Sequence, residues 1–90
     1  MKVFVPSTAF RKDLKRAVRR GYDLTKLEAV LGKLAQGDAL PSSHRSHPLK
    51  GEWKGYWECH IAPDWLLIYK TADEEVRLAR TGTHADLFAR

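Results

Sequence analysis

Tyr56-Trp57-Glu58-Cys59-His60-Ile61-Ala62-Pro63-Asp64-Trp65-Leu66-Leu67-Ile68-Tyr69-Lys70 is the stretch that decides the fold. Residues 56–61 and 66–70 are short runs rich in aromatic and aliphatic side chains, and each reads as a strand. Pro63-Asp64 between them supplies a turn. A second turn at Ala72-Asp73 leads into a third strand over residues 75–81, which Gly82 breaks, and a short tail runs from Thr83 to Arg90. Three strands joined by short turns make an antiparallel meander. Alternation places Tyr56, Glu58 and His60 on one side of their strand and Trp57, Cys59 and Ile61 on the other. The second set is the more apolar, so it should face the core and leave His60 on the open face.

Upstream of this stretch the periodicity changes. Residues 2–5 form a β-branched and aromatic run that reads as a first strand, stopped by Pro6. Ser7 or Thr8 can cap a helix in which Phe10, Leu14, Ala17 and Val18 recur at helical spacing, with Gly21 as its left-handed end. Asp23 can cap a second helix, with Leu24, Leu27, Val30, Leu31 and Leu34 as its stripe and Gly37 as its stop. The short link between the two predicts an antiparallel helix hairpin. Residues 38–50 read as a loop rich in proline and serine. The expected fold class is therefore α+β in one domain, residues 1–90: an N-terminal strand, a helix hairpin, then an antiparallel β-meander with the helices packed on one sheet face.

The chain has 90 residues, a net charge of +5 and an apolar fraction of 43%. That is enough for one modest core. The basic balance favours nucleic acid or another anionic partner. One cysteine, Cys59, excludes an internal disulfide and a cysteine zinc cluster and suggests a reducing, cytoplasmic setting. No stretch approaches the ~20 apolar residues of a membrane span. Helix one carries Arg11, Lys12, Lys15, Arg16, Arg19 and Arg20 with only Asp13 among them. Lys12, Lys15, Arg16 and Arg19 share one helical face, either a solvated surface or a phosphate-contacting one.

Three of the four histidines, His47, His60 and His84, lie in the C-terminal half near Asp64, Arg80 and Trp65. Imidazole exchanges protons near neutral pH without special tuning. RNA is cut without a metal when a base takes the 2′-hydroxyl proton, an acid protonates the leaving 5′-oxygen, and cations stabilise the phosphate. His47, His60 and His84 are the proton-transfer candidates. Asp64 is an orienting group or a base, Arg80, Lys50 and Lys54 are phosphate contacts, and Trp65, Phe88 and Tyr56 are stacking surfaces. Taken singly each residue has a plain structural reading: a surface histidine, a turn aspartate, a core tryptophan. Trp53 and Trp57 read as core, and His44 as a residue without a role. Histidine spacing matches no compact zinc motif, so a metal ranks below metal-free chemistry.

The strings His47-Pro48-Leu49-Lys50-Gly51-Glu52-Trp53-Lys54-Gly55-Tyr56, Pro63-Asp64-Trp65-Leu66-Leu67-Ile68-Tyr69-Lys70 and Arg80-Thr81-Gly82-Thr83-His84-Ala85-Asp86-Leu87-Phe88 together resemble bacterial toxins of the RelE/ParE superfamily, most closely the YafQ branch. The resemblance covers nearly the whole chain. It implies a RelE-like fold and a ribosome-dependent endoribonuclease that cuts mRNA in the decoding site of the 70S ribosome, with no metal or organic cofactor. It also implies a cognate antitoxin that silences the toxin, with promoter DNA bound only through that antitoxin. Carried over by position, His47, His60, Asp64 and His84 match the proton-transfer and phosphate-positioning set, and Trp65 and Phe88 match residues near the message. His47 as base and His84 as acid is then the assignment, the two labels being interchangeable on sequence alone, with His60 and Asp64 holding the phosphate and tuning the imidazoles, and Arg80 stabilising charge. Ser46 before His47, and Asp86 and Arg90 around Phe88, depart from the expected charge pattern and bear on local tuning and codon preference. Two rival readings are a non-catalytic inhibitor of DNA gyrase, known in the same superfamily, and a simple basic RNA-binding module.

Overall fold

The computed structural model describes residues 1–88, so the expectation attached to Arg90 lies outside the described residues. The chain opens with strand β1, Val3–Pro6, followed by helices α1, Thr8–Arg19, and α2, Leu24–Gln36. Ser7 caps α1, its hydroxyl accepting from the Phe10 amide at 2.9 Å. Asp23 caps α2 through the Thr25 amide at 3.0 Å, and Gly37, at φ 76°, closes it. A 3-10 turn at Ser42–His44 leads to a two-residue strand β2, His47–Pro48, and a second 3-10 turn at Gly51–Trp53. Strands β3, Trp57–Ala62, β4, Trp65–Thr71, and β5, Glu75–Gly82, then form the meander, and a short helix α3, His84–Phe88, ends the description.

The five strands make one sheet in the order β1-β5-β4-β3-β2. Only the β1–β5 pair is parallel, and β2, β3, β4 and β5 pair antiparallel in turn. The helix hairpin is the crossover from β1, and it covers one face. Phe10, Ala17, Leu27, Val30 and Leu34 from the helices meet Cys59, Ile61, Trp65, Leu67, Tyr69, Val76 and Leu78 from the sheet. The α+β architecture, the hairpin and the meander agree with the sequence reading, as does the burial of Cys59 and Ile61. Desolvation in this core pushes the Cys59 thiol up to about 12.

Four local readings change. Residues 38–50 are not all loop, because His47–Pro48 pairs with β3. Residues 84–88 form a helix rather than an irregular tail. Val18 is 55% exposed and Trp57 42% exposed, so neither belongs to the core. Trp57 falls at the sheet's end, beside Leu34, Leu40 and Tyr69, and gains only partial cover.

Two register shifts aim the side chains. In the β4–β5 pair, Ile68 opposes Arg80 whereas Tyr69 opposes Leu78, so Ala79 is the extra residue of a bulge. Directly opposed residues share a sheet face. The bulge therefore turns Arg80 to the face opposite Leu78 and sends Thr81 inward, where it is fully buried. Ser7 grips the same irregularity, its hydroxyl donating to the Ala79 carbonyl at 2.8 Å. A second shift lies between His60 and Ala62.

Candidate active site

Pairing across four strands sets out a row on the face away from the helix hairpin. His47 opposes Glu58, Glu58 opposes Ile68, and Ile68 opposes Arg80. His60, two residues beyond Glu58, lies on the same face and opposes Leu66. The tight β3–β4 turn then projects Asp64 at the sheet's end. Gly82 ends β5 beside that turn, so α3 starts there and brings His84 to Asp64.

The three histidines of the sequence reading meet at one place. His47 Nε2 lies 3.3 Å from Glu58 Oε1, and His60 Nε2 lies 4.0 Å from the same oxygen. The His60 and His84 rings are 5.8 Å apart between centroids. Asp64 Oδ1 accepts both the His84 backbone amide at 3.0 Å and the ring Nδ1–H at 2.8 Å. With Nδ1 donating to the carboxylate, Nε2 is the nitrogen left for chemistry. The amide and ring of His84 hold the Asp64 carboxyl below the usual carboxylate range. A carboxylate so bonded is placed to orient the His84 ring. Phe88 stands next in line, its ring 6.5 Å from that of His84 and 39% exposed.

Two members of this site were not singled out from the sequence. Glu58 is buried, with its side chain 7% exposed, and is the hub between His47 and His60. Its signal was the shared face with His60, which the alternation already marked. His44, set aside as a residue without a role, donates from Nδ1 to the His60 carbonyl at 2.7 Å. That bond fastens the Ser42–His44 turn to β3. Ser46 shares a hydrogen bond with the Tyr69 hydroxyl at 2.6 Å, so the residue preceding His47 is tied to the sheet.

The predicted contact residues divide. Trp65 is 4% exposed; its indole N–H donates to Thr81 Oγ1 at 2.9 Å, and Tyr22 packs edge-on at 4.9 Å. No ring face is left for a base, so the stacking role expected of Trp65 is replaced by a core role. Arg80 shares the histidine face but its guanidinium is held by Asp13, Nε to Oδ2 at 2.6 Å and Nη2 to Oδ1 at 3.1 Å. Bonding to Asp13 raises the already high Arg80 pKa further, which fixes its charge. Lys50 and Lys54 are exposed on the connector between β2 and β3. On α1, Arg16 is tied to Asp13 at 3.0 Å, so the expected basic face is reduced to Lys12, Lys15 and Arg19, which have no ion-pair partner among the described residues.

Residues 2–89 match the family model described as the bacterial toxin of type II toxin–antitoxin systems, YafQ. The chain belongs to the YafQ toxin family. It is 46% identical over 83 residues to the mRNA interferase toxin YafQ of Escherichia coli K12, covering 91% of this chain and 90% of that protein. The crystal structure of the E. coli DinJ–YafQ complex superposes with a TM-score of 0.90 at 43% identity, covering 98% of this chain and 99% of that one. A copper-bound mutant toxin from Helicobacter pylori superposes with a TM-score of 0.92 at 36% identity, covering 98% of this chain and all of that one. Within this YafQ family member, Glu58, His60 and His84 place ligand-type atoms within 4.8 Å of one another. The sequence reading ranked metal low because the histidine spacing matches no compact zinc motif, and it did not count Glu58 among the donors.

Proposed function

We propose that this YafQ family member is a toxin that cuts mRNA on the 70S ribosome by metal-free acid–base catalysis, and that a cognate antitoxin silences it. The observation that carries the reading is the convergence of His47, His60 and His84 around two carboxylates. His60 and His84, with ring centroids 5.8 Å apart, can each reach a different oxygen of one phosphodiester, since each acts over about 3 Å, and His47 joins them through Glu58, the carboxylate it shares with His60. His47 takes the 2′-hydroxyl proton, O2′ attacks phosphorus, and the P–O5′ bond breaks as His84 protonates the leaving oxygen. The products are a 2′,3′-cyclic phosphate and a free 5′-hydroxyl. A proton taken up at His47 Nε2 sits beside Glu58, which stabilises the imidazolium. His60 holds the phosphate, Arg80 supplies positive charge on the same face, and Phe88 stacks on a neighbouring base. The relationship to the E. coli interferase and to the DinJ-bound toxin supports both the activity and the antitoxin.

The site also has the donor set for a borderline divalent metal such as zinc or copper: two imidazoles and a carboxylate. The copper-bound relative is consistent with such capture. In this mechanism a bound metal occupies the imidazole lone pairs and blocks the reaction.

The test is primer extension on mRNA in a purified translation reaction. Wild-type protein is expected to produce discrete cuts, unaffected by a chelator selective for zinc and copper that leaves magnesium in place. His84→Ala is expected to lose about 10²–10⁴-fold in rate while keeping its circular dichroism spectrum. Equal cutting by the variant, or loss of cutting with chelator, overturns the mechanism. DNA damage without mRNA cuts favours the gyrase-inhibitor reading.

A further inference from the structure

His84 is held by a helix of only five residues, His84–Phe88. So short a helix has no stability of its own, and its orientation must come from outside contacts. One contact is Asp64, but Asp64 is mostly exposed, with 63% of its side chain open to solvent. The other is on the opposite side of the helix. Asp86 Oδ2 accepts from Arg20 Nη1 at 2.7 Å and Oδ1 from Arg20 Nη2 at 3.1 Å, a paired fork. Arg16 Nη2 approaches the same carboxylate at 3.6 Å. Asp86 also closes a reciprocal cap: it accepts the Thr83 amide at 2.9 Å, and its own amide donates to Thr83 Oγ1 at 3.0 Å.

Two further observations separate this from an ordinary surface ion pair. The Asp86 side chain is only 13% exposed, and hydrogen bonding from Arg20 holds its carboxyl well below the usual carboxylate range. Gly82, at φ 155°, makes room for it. A Cβ on Gly82 would lie 2.9 Å from Asp86 Oδ2 and 3.1 Å from Arg16 Nη2. The backbone that precedes α3 is thus bare at the spot where carboxylate and guanidinium meet. The ionic chain continues inward, because Arg16 also bonds Asp13, which holds Arg80.

We infer that Asp86, gripped by Arg20 and Arg16 of α1, is the positioning residue for His84: it fixes α3 and so holds the imidazole in the cleft. The sequence alone suggested that Asp86 alters the charge around Phe88; its geometry instead anchors the helix that carries both aromatic rings. The effect on rate rests on the nuclease reading, whereas the placement of the ring does not.

Asp86→Asn separates the clamp from the cap. The amide oxygen still accepts from Thr83, but the charge that holds two arginines is gone. In ¹⁵N relaxation on the free protein, backbone order parameters over residues 84–88 are expected to fall from about 0.85 towards about 0.6. The His84 ring nitrogen shifts should move away from the pattern of a ring donating from Nδ1 to a carboxylate. In the translation reaction, kcat is expected to fall about tenfold with KM unchanged, as is typical when an orienting partner is lost. Gly82→Ala should give the same signature, and Asp86→Glu should recover much of the rate. Unchanged order and ring shifts in Asp86→Asn would overturn the inference, as would a mobile α3 with wild-type kcat. If the wild type itself fails to cut, the nuclease reading fails, and the relaxation and shift data alone decide the clamp.

Discussion

Asp64→Asn isolates the part of the site that depends on charge and orientation alone. In the wild type one oxygen, Asp64 Oδ1, receives both the backbone amide and the ring Nδ1–H of His84, at 3.0 and 2.8 Å. Asparagine keeps an oxygen of the same shape but adds an amide donor. When that donor faces Nδ1, it opposes the second ring proton that makes His84 an imidazolium, the form that donates from Nε2 as an acid. A buried aspartate in the corresponding role of a serine protease is worth about 10⁴-fold. Here the carboxylate and ring are more than half exposed, at 63% and 55%, so water competes for both and the field is screened. The expected loss is therefore about 10–100-fold in kcat, below the ceiling set by His84→Ala. The same exposure predicts a melting temperature close to wild type. The pH profile adds a sign. Because His84 keeps the folded Asp64 carboxyl below the usual range, its contribution is present above the ordinary carboxylate value of about 3.9 and is lost only as pH falls through the lower folded value. Any fall in rate from pH about 7 to about 5 therefore does not come from Asp64 and should persist in Asp64→Asn. Single-turnover cutting in the translation reaction, with thermal melting alongside, measures all three. A variant with wild-type kcat would refute the orienting role, and one that melts far below wild type would show Asp64 to be structural.

Two further substitutions follow from buried groups. Asp13 is 4% exposed and accepts from Arg80, Arg16 and the Thr81 amide. Asp13→Ala leaves that amide and two guanidiniums without their anion and should cost about 2–4 kcal/mol, since Arg80 regains part of its hydration. In a thermal melt this appears as a drop of about 10–20 °C; a shift of a degree or two would sink the reasoning. Trp65→Phe removes the indole bond to Thr81 within the core and should cost about 1–3 kcal/mol with kcat unchanged. Lost activity at unaltered stability would restore Trp65 as a stacking residue.

The fold was legible because each element carries its own punctuation. Ser7, Asp23 and Gly37 mark helix ends by the bonds they make or the backbone they allow, and those are local chemistry. The meander was legible because its turns are short and its strands aliphatic. What escaped depended on partners distant in the chain. His47–Pro48 is a strand only because β3 lies beside it, and two residues carry no periodicity. Arg80 follows Val76 and Leu78 at even spacing, so plain alternation sends it inward; the bulge at Ala79 reverses that, and nothing local announces a bulge. Trp65 offered two readings, base platform or core, and the Thr81 hydroxyl 16 residues away decides between them. Glu58 was placed on the correct face, but its role needs His47 across the strand.

This division follows from where the site is built. Apolar burial fixes β3, β4 and β5 between Cys59, Leu67 and Val76, all fully buried, and that core supplies the rigid base. The reactive side chains then come from the weakest parts of the architecture: a two-residue edge strand, a tight turn and a five-residue helix. None of these can be held by area burial, so each is tied down by directed bonds: Glu58 for His47, the His44 ring for the β3 edge at His60, Asp64 and Asp86 for His84. Directed bonds at an exposed rim contribute little to global stability and a great deal to geometry. Substitutions at the rim should therefore change rate with little change in melting temperature, and substitutions at Asp13 or Trp65 should do the opposite. Asp13 lies on the boundary, since the carboxylate that closes the α1–β5 seam also holds the guanidinium of Arg80.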